Sequence, residues 1–155
     1  MPDYGPKRED NKMNAAIRTE VGPMVASGKK FDKPMDETLS CLMLVSEALD
    51  VFRAVEPSIP SSYIAAFLAV AMDPGNGTVH YSKQLGMLQP VASRVLLEIG
   101  QKTRTGQPGL GLVAAEYDLH DLRLKRYYLT PRGNALIMRL EKAISRRRKG
   151  EARGD

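Results

Sequence analysis

Two short stretches hold most of the side chains able to grip a polyanion. In "LGMLQPVASRV" (85–95), Gln89, Pro90, Ser93 and Arg94 stand where a helix would begin. Gln can pair with adenine and Arg with guanine or a phosphate, while Ser and the positive start of a helix can hold phosphate oxygens. In "DLRLKRYYLTPRG" (121–133), Arg123, Lys125 and Arg126 crowd one segment, with Asp121 two residues before Arg123. Lys102 and Arg104 lie between the two stretches and offer further backbone contacts. This is chemistry of recognition, not of bond-making. No nucleophile–base or paired-carboxylate arrangement stands out. His80 and His120 lack the spacing to Cys41 or to carboxylates that a metal site needs, and "GQPGLG" (106–111) lacks the Lys-Ser/Thr of a phosphate loop. The expectation is a binding protein, not an enzyme, with no cofactor.

Charge distribution points the same way. The chain has 155 residues, 43% of them hydrophobic, and a formal net charge of +5. Residues 1–79 hold eight Lys/Arg against eleven Asp/Glu, a balance of −3, whereas residues 80–155 hold fifteen against seven, a balance of +8. A basic half joined to a mildly acidic one suggests a polyanionic partner at one end, or else a solvated basic surface. No run reaches the ~20 apolar residues of a membrane span. The start "MPDYGPKREDNK" has no apolar core of a secretory signal, and the single Cys41 permits no internal disulfide. The expected compartment is the cytoplasm.

The elements that must position these residues are legible in outline. Residues 1–35, with four prolines and mixed charges, read as a mobile arm with a short helix near 14–20. "DETLSCLMLVSEALDVFRAVEP" (36–57) predicts a helix to about residue 55 that is apolar on more than one face, and so either a subunit interface or a central core helix. Within it, Cys41 reads as a buried, inert small hydrophobe. A second helix runs from Ser61 to about Met72 and stops at Asp73-Pro74-Gly75-Asn76-Gly77. A short helix to about Leu85, a turn at Gly86 and a third helix from Gln89 to about Gln101 match a helix-turn-helix, with Leu85, Val91, Val95, Leu96 and Ile99 facing inward. "TRTGQPG" (103–109) reads as loop. Strands at 110–118 and 124–129 form a hairpin in which Tyr127 and Leu129 share the inner face, and Lys125 and Arg126 point to opposite faces. Thr130 caps a final helix with Pro131 at its first position and Gly133 allowing close packing; its apolar face is Ala135, Leu136, Ile137, Leu140 and Ile144. From Ser145 the basic run "SRRRKGEARGD" reads as a fraying tail, 146–155. The fold class is mainly α with a small β-hairpin wing: a winged helix-turn-helix over 36–145 with flanking dimerisation helices.

At residues 60–140 the chain resembles the MarR family. "LGMLQPVASRV" is similar to that family's recognition segment, in which Leu-Gly is followed six residues later by Ser-Arg. Asp121, Arg123, Tyr127, Leu129, Thr130 and Gly133 match its wing signature. The resemblance implies a recognition helix in the major groove, Arg123 of the wing in the minor groove, and a homodimer with room for a small-molecule effector. Two departures stand out. The segment between Gly100 and Asp121 is longer than the family's short strand, and the 22 residues after Gly133 leave room for one helix where relatives have two. A dimer must then use helix 36–55 and the C-terminal helix.

The expected partner is therefore double-stranded DNA and the expected role that of a MarR-like transcriptional regulator. Alternatives are a phage- or plasmid-type replication, partition or architectural DNA-binding protein, or a winged helix that docks another protein. An RNA binder would show exposed aromatics beside its basic residues, and Trp is absent.

Overall fold

The computed structural model describes residues 36–151 of the backbone and side chains over 37–146. The arm expected at 1–35, its short helix, and residues 152–155 lie outside the described residues. The core and the hairpin belong to the unit that begins at residue 40. In order, the elements are α1 (Asp36–Arg53), α2 (Ser61–Met72), α3 (Thr78–Gln84), α4 (Gln89–Glu98), β1 (Val113–Tyr117), β2 (Lys125–Leu129) and α5 (Pro131–Glu151). None of the described helices is long and apolar enough to cross a membrane.

The centre is α2. "SSYIAAFLAVAM" is apolar nearly all round, and such a helix must be surrounded. Ala66, Phe67, Ala69 and Val70 are buried. Phe52 of α1, Tyr81 of α3, Val95 and Leu96 of α4, Ile99, Leu112, Val113, Tyr127, and Leu136 and Leu140 of α5 complete the core. Tyr81 is wholly buried yet polar at its tip. Its hydroxyl donates to the Asp73 carbonyl at 2.7 Å, and its ring meets Tyr127 edge-on at 6.2 Å. Burial pushes its pKa above the ordinary 10.0, so the hydroxyl stays a donor.

The helix-turn-helix forms as its sequence demands. Gly86 takes φ +62°, a backbone state other residues rarely adopt, and so turns the chain between α3 and α4. The inward stripe of α4 holds at Val95, Leu96 and Ile99, with Leu85 half-buried, but Val91 is 47% exposed. At the start of α4, Leu88, Gln89 and Pro90 are exposed as well, while Ala92 is buried. Periodicity gives the phase of a stripe but not how far its packing partner extends.

The hairpin pairs antiparallel with Val113 opposite Leu129, Ala115 opposite Tyr127 and Tyr117 opposite Lys125. Tyr127 is buried and Leu129 half-buried, as the alternation requires. The turn after α2 joins this sheet. The Gly75 N–H donates to the Tyr127 carbonyl at 2.8 Å and the Tyr127 N–H to the Asn76 carbonyl at 3.0 Å. Residues 75–76 thus edge β2 and fix the wing to the helix-turn-helix.

Thr130 ties strand to helix. Its Oγ1 accepts the Gly133 N–H at 3.0 Å, its hydroxyl donates to the Gly111 carbonyl at 2.6 Å, and its own N–H donates to the Leu112 carbonyl at 3.0 Å. Thr130→Ala removes the cap and strands a buried amide, and should cost about 1–2 kcal/mol. Denaturant melting would read this as a lower midpoint at unchanged slope.

Three further expectations change. The helix α4 ends at Glu98, and 102–108 is an ordered loop closed by a bridge between Lys102 and Pro108. The helix α5 continues through the basic run to Glu151, since Arg, Lys and Glu are good helix formers and no proline intervenes. Cys41 is exposed, not buried. The reason lies in α1, whose one fully buried core residue is Phe52, edge-on to Phe67 at 5.9 Å, with Ala48 and Val51 packed beside it, while Leu42, Met43, Val45 and Leu49 are exposed. It is not a central core helix.

Candidate nucleic-acid interface

The side chains of α4 at 89, 93 and 97 recur every four residues and so share one face. That face lines one wall of an open cleft of about 660 Å³. Thr78, His80 and Lys83 of α3 form the second wall, and Arg123, Leu124 and Lys125 of the wing the third. Gln89 and Ser93 are thereby brought together with Arg123 and Lys125, more than 25 residues away in the chain. No side chain that lines the cleft is a carboxylate. A concave surface with cations of one sign concentrates its field on an incoming anion. The helix α4 starts without a side-chain cap, which leaves the positive end of its dipole uncompensated there. Pro90 and Arg94 are exposed in its first two turns, beside the cleft and not in its lining.

The wing tip is built around two aspartates. Asp118 accepts the His120 N–H at 2.8 Å and the Nε and Nη2 of Arg126, both at 2.6 Å. Asp121 Oδ1 accepts the Arg123 N–H at 3.0 Å, so this aspartate shapes the backbone that presents Arg123. Two main-chain bonds close the loop, Asp118 N–H to the Leu124 carbonyl and Leu124 N–H to the Asp121 carbonyl, each at 2.9 Å.

Compared as structures, the chain is similar in fold to several proteins at low identity. The MepR–DNA complex of S. aureus aligns over 74% of this chain and 86% of its own at 16% identity, with a TM-score of 0.59. RV1404 from Mycobacterium tuberculosis aligns over 74% and 71% at 16% identity, with a TM-score of 0.55. A MarR family transcription regulator aligns over 90% and 82% at 18% identity, with a TM-score of 0.51. The chain has the MarR-type winged-helix fold. Compared as a sequence, it matches no protein-family model and no curated protein.

Within this MarR-type fold the predicted contact residues divide. Gln89, Ser93, Arg123 and Lys125 meet at the cleft; the Lys125 ammonium also lies 5.5 Å from the centre of the Tyr117 ring. Lys102 and Arg104 do not line it. They sit on the 102–108 loop, past the C-terminal end of α4. Arg126 is on the opposite face of β2 from Lys125, and its guanidinium is already engaged, with Asp118 and with the Gly75 carbonyl at 2.9 Å. It is a strut that ties the wing tip to the turn before α3. Sequence reasoning missed Lys83, exposed in the cleft wall, and His80, whose Nε2 lies 2.8 Å from Asp73 Oδ2. Nothing in "TVHYSKQ" distinguishes these from solvated helix residues; only the wing folding over α3 reveals them.

The hydrogen bond from His120, and then the Arg126 guanidinium, hold the Asp118 carboxyl below its ordinary pKa of 3.8. A depressed pKa means that the tip is stabilised above the unfolded value and loses that stabilisation as pH falls through the folded one. The His120 amide signal should therefore move to a loop-like position below pH 3.8, followed by NMR, and Asp118→Asn should abolish that step.

Proposed function

We propose that the chain is a sequence-specific duplex-DNA-binding transcriptional regulator that acts as a homodimer. The carrying observation is the cleft itself, a carboxylate-free groove that joins the exposed start of α4 to the cationic wing. In this reading α4 enters the major groove, where Gln89 and Arg94 reach base edges and Ser93 a phosphate. Arg123 enters the neighbouring minor groove, and Lys83 and Lys125 hold the backbone between them. Lys102 and Arg104 contribute backbone contact at the far end of α4, and Arg126 acts by positioning the wing. The DNA complex of MepR, which has the same fold, supports the assignment.

Exposed apolar residues on the flanking helices support the dimer. Leu42, Val45 and Leu49 follow a spacing of three and four along α1, and Met138 of α5 is 69% exposed. Such a stripe on a monomer invites a partner, and a second copy presents the same stripe. Two-fold symmetry then demands a roughly palindromic site, with half-sites about one helical turn apart.

Selection of bound duplexes from a random pool tests the reading. A palindromic motif with that spacing is the expected result. Enrichment of no sequence despite binding would replace the regulator with an architectural protein, and absence of duplex binding at physiological salt would replace DNA with a protein partner.

A further inference from the structure

The wing tip carries apolar surface that the cleft does not account for. Leu119 is 93% exposed and Leu122 is 72% exposed. Single exposed leucines are ordinary. This pair differs in being displayed by a loop that is tied in place, through Asp118 to His120 and Arg126 and through Asp121 to Arg123. A slack loop could fold its leucines back against the hairpin; a closed one holds them in water.

The surroundings select the partner. Arg123 follows Leu122 directly, and Arg123, Lys125 and Lys83 line the adjacent cleft. Both carboxylates of the tip are used inside the loop. An apolar protein surface would cover the leucines but leave these cations without counter-charges. A duplex offers phosphates to the cations and base faces to the leucines. Its minor groove, about 6 Å wide, excludes a two-stranded ribbon but admits single side chains from a tip. Apolar side chains wedged between base steps are a general means of opening and bending DNA from that groove.

Resting on the DNA-binding reading above, we propose that the wing is a wedge as well as an anchor: Leu119 and Leu122 enter the minor groove alongside Arg123, open a base step and bend the duplex. Specificity follows without a hydrogen bond to any base, because TA and CA/TG steps open at lower cost than others. The wing's half of the site should carry such a step.

The test uses the full chain and a selected duplex labelled at both ends for energy transfer, with 2-aminopurine at the step beneath the wing. The parent should shorten the end-to-end distance and raise the 2-aminopurine fluorescence. The variant L119S/L122S, altered only at exposed positions, should bind about tenfold more weakly, leave the duplex straight and lose the preference for flexible steps. Leu122→Met keeps an apolar side chain and should keep the bend. A serine variant that bends the duplex as the parent does overturns the wedge, as does one that dissociates into monomers, since the leucines would then belong to a protein interface. A parent that binds its selected duplex without bending it overturns the wedge alone; a parent that selects no duplex overturns the DNA reading with it.

Discussion

Gly133→Ala should destabilise the winged helix by about 3 kcal/mol and lower its melting temperature by roughly 10 °C. Helix propensity alone predicts the opposite, since alanine in a helix is favoured over glycine by about 1 kcal/mol. Position 133 is buried, however, and a methyl group there would overlap the Leu112 carbonyl oxygen. That carbonyl cannot retreat freely, because it accepts the Thr130 N–H at 3.0 Å. A clash with anchored backbone outweighs the propensity gain. Calorimetry of Gly133→Ala beside Asn134→Ala, exposed one residue later, isolates the contact. If Gly133→Ala melts at or above the parent temperature, α5 does not pack against residue 112 in this way.

Arg123→Ala and Arg94→Ala should each weaken binding to a selected duplex by about 1–3 kcal/mol per half-site, with the fold intact. In the proposed two-fold dimer each substitution would act twice, so the loss approaches two orders of magnitude or more. Lys83→Ala should behave differently. Without that ammonium one phosphate keeps its counterions, so all duplexes should bind more weakly alike, and the dependence of log K on log salt should flatten by about 0.9 per phosphate. Titrations of selected and scrambled duplexes at several salt concentrations separate the two behaviours. Equal loss on both duplexes for Arg94→Ala would move that residue from base reading to backbone contact.

Much of the frame behind these effects is legible in the chain itself. The second helix, Ser61–Met72, has the bounds read from the chain and stops at its Asp-Pro-Gly, but Pro60 and not a serine stands at its N-cap, with no side-chain cap bond. The cap of α5 and the alternation of β2 are equally readable, because capping, turn glycines and two-residue periodicity are local properties. The site is legible in part. Gln89, Ser93, Arg123 and Lys125 are recognisable as helix-start and wing residues, and they meet in one cleft. Arg126 carries the same charge one residue from Lys125, yet its guanidinium is bound to Asp118 and Gly75. Which of two adjacent cations is free depends on the face of a strand and on what lies against it.

The order of elements, the glycine turn between α3 and α4, the threonine cap and the concentration of positive charge in the second half were all determined by the sequence itself, since each rests on interactions within a few residues or on composition. Tertiary structure alone decided the rest. It made "DPGNG" an edge of the wing as well as a helix stop, placed Lys83 in the cleft wall, left Val91 and Cys41 outside the core, and held the leucines of the wing tip in solvent. Each of those outcomes depends on which surface arrives from elsewhere in the chain, and burial is a property of that arrival, not of the residue.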